Sequence, residues 1–286
     1  MIGKDIRKAT EILKKGKLVA IPTETVYGLA ANALEPNAVA EIFRAKKRPT
    51  FDPLIVHSDS IEKLKKYVAH FPPKAEKLAK HFWAGALTLV LEKNDNIPDL
   101  VTSGLSSVAV RIPNHPVTLS LLKNLDFPLA APSANPFGYI SPTSAEHVET
   151  MLGEEISYVL EGGNCKLGIE STIVSFENEE VVVLRKGAIS IENIEAVIGK
   201  VSVRLHSSSS PKAPGMLKSH YAPRTPLLIA KKSIHKLIRE HKEKKIGVLS
   251  FTASFPEINS ENQRILSPKG DFSQAAHNLF AYLREL

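Results

Sequence analysis

Cys165 is the only cysteine in the 286 residues, so no disulfide can form within the chain. No apolar run approaches the ~20 residues of a membrane span. Met1 to Asp5 do not lead into the long apolar stretch of a signal peptide. Together these absences point to the cytoplasm. The histidines are scattered, with no H-E-x-x-H and no cysteine pair, which argues against a zinc site. Neither a Walker Gly-Lys-Ser/Thr nor a G-x-G-x-x-G is present. Asp95 and Asp99 form no recognisable metal or glycosidase pair. No local base marks Cys165 as a nucleophile.

What the chain does have is a formal net charge of +7. That charge favours acidic partners such as nucleotides or RNA, or simply keeps the protein soluble. It also has two small, hydroxyl-rich turns, each directly after an apolar strand-like run. Leu18-Val19-Ala20-Ile21 leads into Pro22-Thr23-Glu24-Thr25-Val26-Tyr27-Gly28, and Leu129-Ala130-Ala131 leads into Pro132-Ser133-Ala134-Asn135. In open α/β sheets ligands sit in the crevice at the carboxyl ends of strands, so the two turns are expected to line one pocket. Hydroxyls, an amide and free backbone N–H groups suit binding and positioning more than covalent catalysis.

Helix and strand signals alternate over the first two-thirds of the chain. Asp5 is placed to cap a helix carrying Ile6, Ala9, Ile12 and Leu13, and Gly16 to end it. Residues 17–21 read as a buried strand, Pro36 to Arg48 as a helix, and Leu54 to Val56 as a strand. Leu87 to Leu91, Val108 to Val110, Ile156 to Leu160, Ser171 to Phe176 and Val181 to Leu184 read as further strands. The Ser/Pro stretch from Ser207 to Gly215 cannot build a core and reads as a linker or ligand-covering loop. Beyond it, strands are predicted at Leu227 to Ala230 and Ile246 to Ser250, a basic helix at Ser233 to Lys242, and a last helix carrying Ala275, Leu279 and Leu283.

Several side chains have two readings at this point. Lys46 and Arg48 are either solvated cations at a helix C-terminus or phosphate clamps held at a pocket rim, because the chain runs from them straight into the core. His57, at a strand end, is a structural hydrogen-bonder or a ligand contact. Arg111, also at a strand end, must find an anion: a structural carboxylate or a ligand's. Gly162-Gly163 and Gly168, ahead of Glu170-Ser171-Thr172, make a tight turn that could expose N–H groups to a ligand.

Read together, the motifs carry a resemblance. Pro22 to Leu29, Lys46-Lys47-Arg48-Pro49, Pro53-Leu54-Ile55-Val56-His57, Val108-Ala109-Val110-Arg111-Ile112-Pro113, Ala131-Pro132-Ser133-Ala134-Asn135, Ser141-Pro142-Thr143 and Gly168-Ile169-Glu170-Ser171-Thr172 resemble, in order, the motifs of the YrdC-like threonylcarbamoyl-AMP synthases. Pro214-Gly215-Met216 and His220-Tyr221-Ala222-Pro223 resemble the linker of the longer, two-domain members. The resemblance implies an α/β fold: an open, twisted mixed sheet over residues 1–202, a linker or lid over 203–225, and a small, partial Rossmann-like domain over 226–286. It implies a nucleotidyltransferase that joins L-threonine, bicarbonate or CO2, and ATP with Mg2+, and supplies a threonylcarbamoyl-adenylate to the tRNA threonylcarbamoyl-transfer machinery.

By the same resemblance, Thr25, His57, Arg111, Ala131 and Ser171 would bind threonine, with Arg111 gripping the carboxylate. Arg48, Asp52, Ser107, Ser133, Asn135, Ser141, Arg185 and Tyr221 would bind ATP, with Lys46 and Arg48 as the catalytic cations and Tyr221 folding the linker over the nucleotide. Two departures stand out: alanines in Phe82-Trp83-Ala84-Gly85-Ala86, expected to leave the pocket untouched, and Phe137 in place of a serine. The rival reading is a non-catalytic module for tRNA or double-stranded RNA, which would show salt-dependent binding and no ATP turnover. A carbamoyl-adenylate module like that of hydrogenase maturation factors is disfavoured, because their accessory zinc-finger and acylphosphatase-like regions are not seen.

Overall fold

A computed structural model describes residues 1–177, 180–205, 211, 213–216, 221–231 and 233–286. Its strands are β1 (Ile2–Gly3), β2 (Val19–Ile21), β3 (Gly28–Asn32), β4 (Ile55–His57), β5 (Leu87–Glu92), β6 (Ser107–Arg111), β7 (Leu129–Ala130), β8 (Tyr158–Leu160), β9 (Thr172–Glu177), β10 (Glu180–Arg185), β11 (Ser202–Val203), β12 (Val248–Ser250) and β13 (Gln263–Ile265). Its helices are α1 (Ile6–Lys14), α2 (Pro36–Lys46), α3 (Ile61–Leu64), α4 (Pro73–Phe82), α5 (Asp99–Thr102), α6 (Pro116–Lys123), α7 (Ala145–Leu152), α8 (Ile191–Ile198), α9 (Ile234–Glu240) and α10 (Phe272–Glu285).

Strands β1 to β11 form one mixed sheet in the order β1-β8-β2-β3-β7-β4-β6-β5-β9-β10-β11. Asp5 caps α1 as expected: its Oδ1 accepts from the amides of Arg7 (2.8 Å) and Lys8 (3.1 Å). Helix α2 stops at Lys46, because Lys47 turns left-handed with φ 51°. Arg44 and Lys47 stand in solvent, while Lys46, on the inner face of α2, and Arg48, just after the turn, are buried.

Side-chain alternation along the central strands decides where a ligand can sit. Val56, Leu89, Leu91, Val108, Val110, Val174, Val181 and Val183 face the main core, which α2, α4 and α8 cover. Ile55, Val90, Ala109, Ile173, Val182 and Leu184 face the other way. Helices α1 and α6 cover one end of that second face through Ala9, Leu13, Leu121 and Leu122. At the other end lie Ala213 and Met216, both buried. The linker is therefore partly core-forming, contrary to the sequence expectation. The stretch between the two covers is where the pocket opens. Ser207–Ser210, Lys212 and His220 lie outside the described residues.

In the C-terminal part β12 and β13 pair in parallel and α9 and α10 form, a small α/β unit. The strand expected at Leu227 to Ala230 is absent: Leu227, Leu228 and Ile229 are irregular and exposed. Apolar character without a neighbouring strand does not make a strand. No helix among the described residues is long and apolar enough to cross a membrane.

Candidate active site

The two hydroxyl-rich turns meet. Leu29 donates to the Pro132 carbonyl (2.7 Å), Ala134 donates to the Tyr27 carbonyl (2.8 Å), and Gly28 bridges Ser133. They form one wall of a pocket also lined by Thr23, Arg48, Ile55, His57, Arg111, Ala131, Glu170, Arg185, Pro214 and Tyr221. Its free volume is about 30 Å³, room for one or two waters. The floor is the sheet face that carries Ile55 and Ala109, so the site lies on that face and not only at strand ends.

One end of the pocket is built on neighbouring strands. His57 and Arg111 are register partners across parallel β4 and β6. Each stands two residues after a pocket-facing apolar residue, so the strand period puts both on the pocket face. Arg111 is nearly fully constrained. Its Nε donates to the Gly85 carbonyl (3.1 Å), and its Nη2 donates to Glu24 Oε1 (2.6 Å) and Thr25 Oγ1 (3.0 Å). Glu24 Oε2 accepts from the Asn114 amide (2.9 Å). Among the described residues Nη1 has no partner, so this nitrogen, and not the whole planar fork, is left for an incoming anion. The Gly85 contact corrects the expectation that the Trp83–Ala86 turn leaves the pocket untouched. His57 is buried, and desolvation together with the adjacent Arg111 cation pushes its pKa down to about 3, so the ring is neutral.

The other end is cationic. Arg48 Nη2 lies 2.9 Å from Asp52 Oδ2 but donates to the Pro53 carbonyl (2.8 Å), while Nε donates to the Asp52 carbonyl (3.0 Å). Asp52 is fully buried; desolvation raises its pKa, opposed by Arg48. Arg185 reaches the pocket through a β-bulge. The β9–β10 register shifts between Val183 and Arg185, which turns Arg185 off the core face that Val183 occupies. There its Nε donates to the Ser171 carbonyl (3.0 Å), Nη2 to Ser171 Oγ (2.9 Å) and Nη1 to Tyr221 Oη (2.8 Å). Glu170 stands 3.8 Å from Nη2. Gly215, at φ 90°, is where the linker passes Arg185: a Cβ there would sit 3.0 Å from both Arg185 Cδ and Tyr221 Oη.

The remaining candidates fall behind the lining or away from it. Ser171 is buried between Arg185 and Thr88, whose hydroxyl lies 2.8 Å from its own. Lys46 does not reach the pocket. Its fully buried ammonium donates to the carbonyls of Ser133 and Asn135, and burial, then Arg48, lowers its pKa well below the usual lysine range. The Asn135 side chain donates to the carbonyls of Pro136 (2.8 Å) and Tyr139 (2.9 Å). Ser141 donates to Glu170 (2.6 Å). Lys46, Asp52, Asn135 and Ser141 thus shape the lining from behind. Ser107 opens β6 opposite Glu92, on the same strand face as Ala109 and Arg111 but four residues or about 13 Å from Arg111, and is not one of the lining residues. Phe137 places its ring 5.7 Å from the Arg48 guanidinium, a role serine could not fill. Thr23 and Glu170 line the pocket and Glu24 stands behind Arg111; the sequence reading placed Thr23 and Glu24 in a pocket-lining turn but gave none of the three a role. The only signal for Glu24 was a carboxylate between two threonines directly after a buried strand. Cys165 is buried and its thiol is pushed up to about 12, mainly by desolvation.

Two family profiles cover almost the whole chain. One, described as "Telomere recombination" and uniting Sua5, YciO and YrdC, matches residues 11–187. The other, described as the threonylcarbamoyl-AMP synthase C-terminal domain, matches residues 189–286. The chain belongs to the two-domain threonylcarbamoyl-AMP synthase family. A threonylcarbamoyl-AMP synthase of Pyrococcus abyssi is 42% identical over 98% of this chain and 85% of its own length. That of Bacillus subtilis is 41% identical over 98% and 83%. The crystal structure of P. abyssi Sua5 complexed with L-threonine superposes with TM-score 0.90 at 40% identity, covering 99% of this chain and 87% of that one.

Proposed function

We propose that this member of the family condenses L-threonine, bicarbonate or CO2, and ATP into threonylcarbamoyl-AMP and pyrophosphate. The observation that carries the reading is one pocket with two unlike ends: Arg111 with an unpaired Nη1 beside neutral His57 and Thr25, and a cationic end made by Arg48, Arg185 and Tyr221. The first end suits the carboxylate of an amino acid, with the Thr25 hydroxyl near its polar groups; Ser171 would act from behind, by holding Arg185. The second suits a triphosphate.

The amine of threonine and bicarbonate give a carbamate with loss of water. A carbamate oxygen then attacks the α-phosphorus, and pyrophosphate leaves with the electron pair of the broken P–O bond. No protein nucleophile is required, in keeping with the buried, high-pKa thiol of Cys165. Catalysis rests on positioning and on charge stabilisation by Arg48 and Arg185. Lys46 contributes by holding the Ser133 and Asn135 carbonyls. Exclusion of water by the bound substrates would protect the labile carbamate and mixed anhydride. Pro214 and Tyr221 of the linker line the nucleotide end, so they would border the path of the entering nucleotide.

Magnesium enters as part of the substrate, MgATP. Among the described residues no group of three or more His, Cys, Asp or Glu could hold a metal, and Glu170 is the one carboxylate lining the pocket. The adenylate would pass to the tRNA-modifying transfer machinery. The RNA-module reading is weaker because Arg48, Arg111 and Arg185 are buried and paired inside the pocket, not displayed for duplex phosphates. The test is pyrophosphate release from ATP with and without L-threonine and bicarbonate, with serine as control. Release that needs both co-substrates and prefers threonine is expected; release indifferent to either would refute the reading.

A further inference from the structure

Two lining segments of the pocket's nucleotide end, and the 138–141 turn behind them, rest on one face of the C-terminal helix α10. His277, Phe280 and Arg284 recur at i, i+3 and i+7, which is one helix face. His277 packs on the turn that carries Glu170 and Ser171. Gly168 in that turn, at φ 71°, approaches so closely that a Cβ would lie 2.3 Å from the His277 carbonyl oxygen. The His277 Nδ1–H donates to the Lys166 carbonyl (2.9 Å). The motif glycine at 168 is thus explained by helix packing and not by a ligand.

Phe280 is buried against Val26 and Ile140, with its ring 6.1 Å from that of Tyr221. Arg284 donates to the Ile140 carbonyl (2.5 Å) and lies 5.3 Å from the Tyr139 ring centre. The next residue, Ser141, holds Glu170. The Ala222 amide donates to the Gly138 carbonyl (2.9 Å), tying the linker to the same turn. Tyr221 itself has φ 59°, a left-handed backbone that a non-glycine residue keeps only when its surroundings hold it there. Two of the holding contacts are the Arg185 hydrogen bond and Phe280. On another flank α10 faces an open cleft of about 230 Å³ beside Thr143, Ser144 and His147. The helix is therefore packed closely toward the pocket and loosely beside it.

We infer that α10 positions the nucleotide end of the pocket from outside it. Phe280 and Arg284 are positioning residues that act through Tyr221 and the 138–141 turn. Neither has a recorded contact with Arg111, His57 or Thr25, which are held by the sheet and by Glu24. The assignment of the two ends rests on the proposed function; the mechanical link does not.

The experiment uses the full chain with Phe280→Ala, Phe280→Leu and Arg284→Gln. Amide hydrogen exchange reads the link without reference to substrates. Exchange at Tyr139 and Ala222 should accelerate about 10-fold or more in Phe280→Ala and Arg284→Gln, while the β4 and β6 amides stay unchanged. In pyrophosphate-release kinetics the KM for ATP should rise about 5- to 20-fold with the KM for L-threonine within about twofold. Phe280→Leu, which keeps bulk at the site, should recover most of both effects. Unchanged exchange at Tyr139 and Ala222 in variants with wild-type melting would overturn the brace. So would an equal rise in both KM values. Accelerated exchange with no threonine dependence in the wild type would instead sustain the brace and refute the reading of function.

Discussion

Arg111 has two partners of different kind, and they can be separated. Replacing it with Met removes the guanidinium and leaves the Glu24 carboxylate buried with only the Asn114 amide as donor. Breaking a buried pair from one side costs about 3–5 kcal/mol, so Arg111→Met should lower unfolding stability by that amount in urea titrations. Adding Glu24→Gln neutralises the stranded charge while keeping an acceptor for Asn114. The double variant should regain all but about 1–2 kcal/mol of the loss. Threonine binding follows a different rule. The ligand carboxylate loses its charge-assisted donor Nη1 in both variants, a loss of about 1.5–3 kcal/mol or roughly 10- to 150-fold in Kd. Calorimetric titration with L-threonine should therefore show at least that weakening in both variants, larger in the single one, where the stranded Glu24 charge also repels the ligand carboxylate, with ATP affinity little changed. Recovery of wild-type threonine affinity alongside stability in the double variant would show that Arg111 only supports the fold, and the carboxylate assignment would fall.

Three further outcomes follow from the same geometry. His57 has its folded pKa depressed to about 3, so only the unfolded chain takes up this proton below about pH 6.5. Its contribution to stability is full above pH 6.5 and is lost as pH falls toward 3; His57→Gln should flatten part of that slope in acid-unfolding curves. Tyr221→Phe deletes the hydroxyl that accepts from Arg185 Nη1. It should raise the KM for ATP by about 3- to 10-fold, and a matching rise for threonine would contradict the placement of Tyr221. Lys46→Met leaves the carbonyls of Ser133 and Asn135 unpaired in the interior, at about 1–3 kcal/mol each. It should reduce both stability and turnover. A turnover defect with wild-type stability would mean instead that the ammonium serves the substrate directly.

How much of this was legible in the sequence depends on the range of the interaction. Asp5 capping α1 and the meeting of the two hydroxyl-rich turns follow from local chemistry and from runs of apolar residues that must be buried. Strand alternation carried further than it was pressed: once Ile55 and Ala109 face away from the main core, His57 and Arg111 must face the same way. The β-bulge before Arg185 reverses that logic, and Val181 to Leu184 give no sign of it. Lys46 misled for a related reason. It lies on the inner face of α2 while Arg44 and Lys47 stand in solvent, and the acceptors for Lys46 lie nearly ninety residues away. Leu227 to Ile229 misled through composition alone, because a strand needs a neighbour to pair with. The hold of α10 on the pocket links residues more than a hundred positions apart, such as Gly168 and His277.

The charge arrangement explains how a pocket lined by three arginines can stand closed. Each is held by a carboxylate from a different part of the chain: Arg48 by Asp52 at 2.9 Å, Arg111 by Glu24 at 2.6 Å, and Arg185 by Glu170 at 3.8 Å. Without those partners, three cations in a low-dielectric site would repel one another by several kcal/mol. The three pairs differ in tightness, and the difference has a direction. Arg111 is fixed on three sides and offers one free nitrogen, which suits a small substrate met in a single orientation. Arg185 has the longest ion pair and is the one bound to Tyr221 of the linker. Its hold comes less from Glu170 than from Ser171, whose carbonyl and hydroxyl accept from Nε and Nη2, and from the Pro214 carbonyl and the Tyr221 hydroxyl, which accept from Nη1.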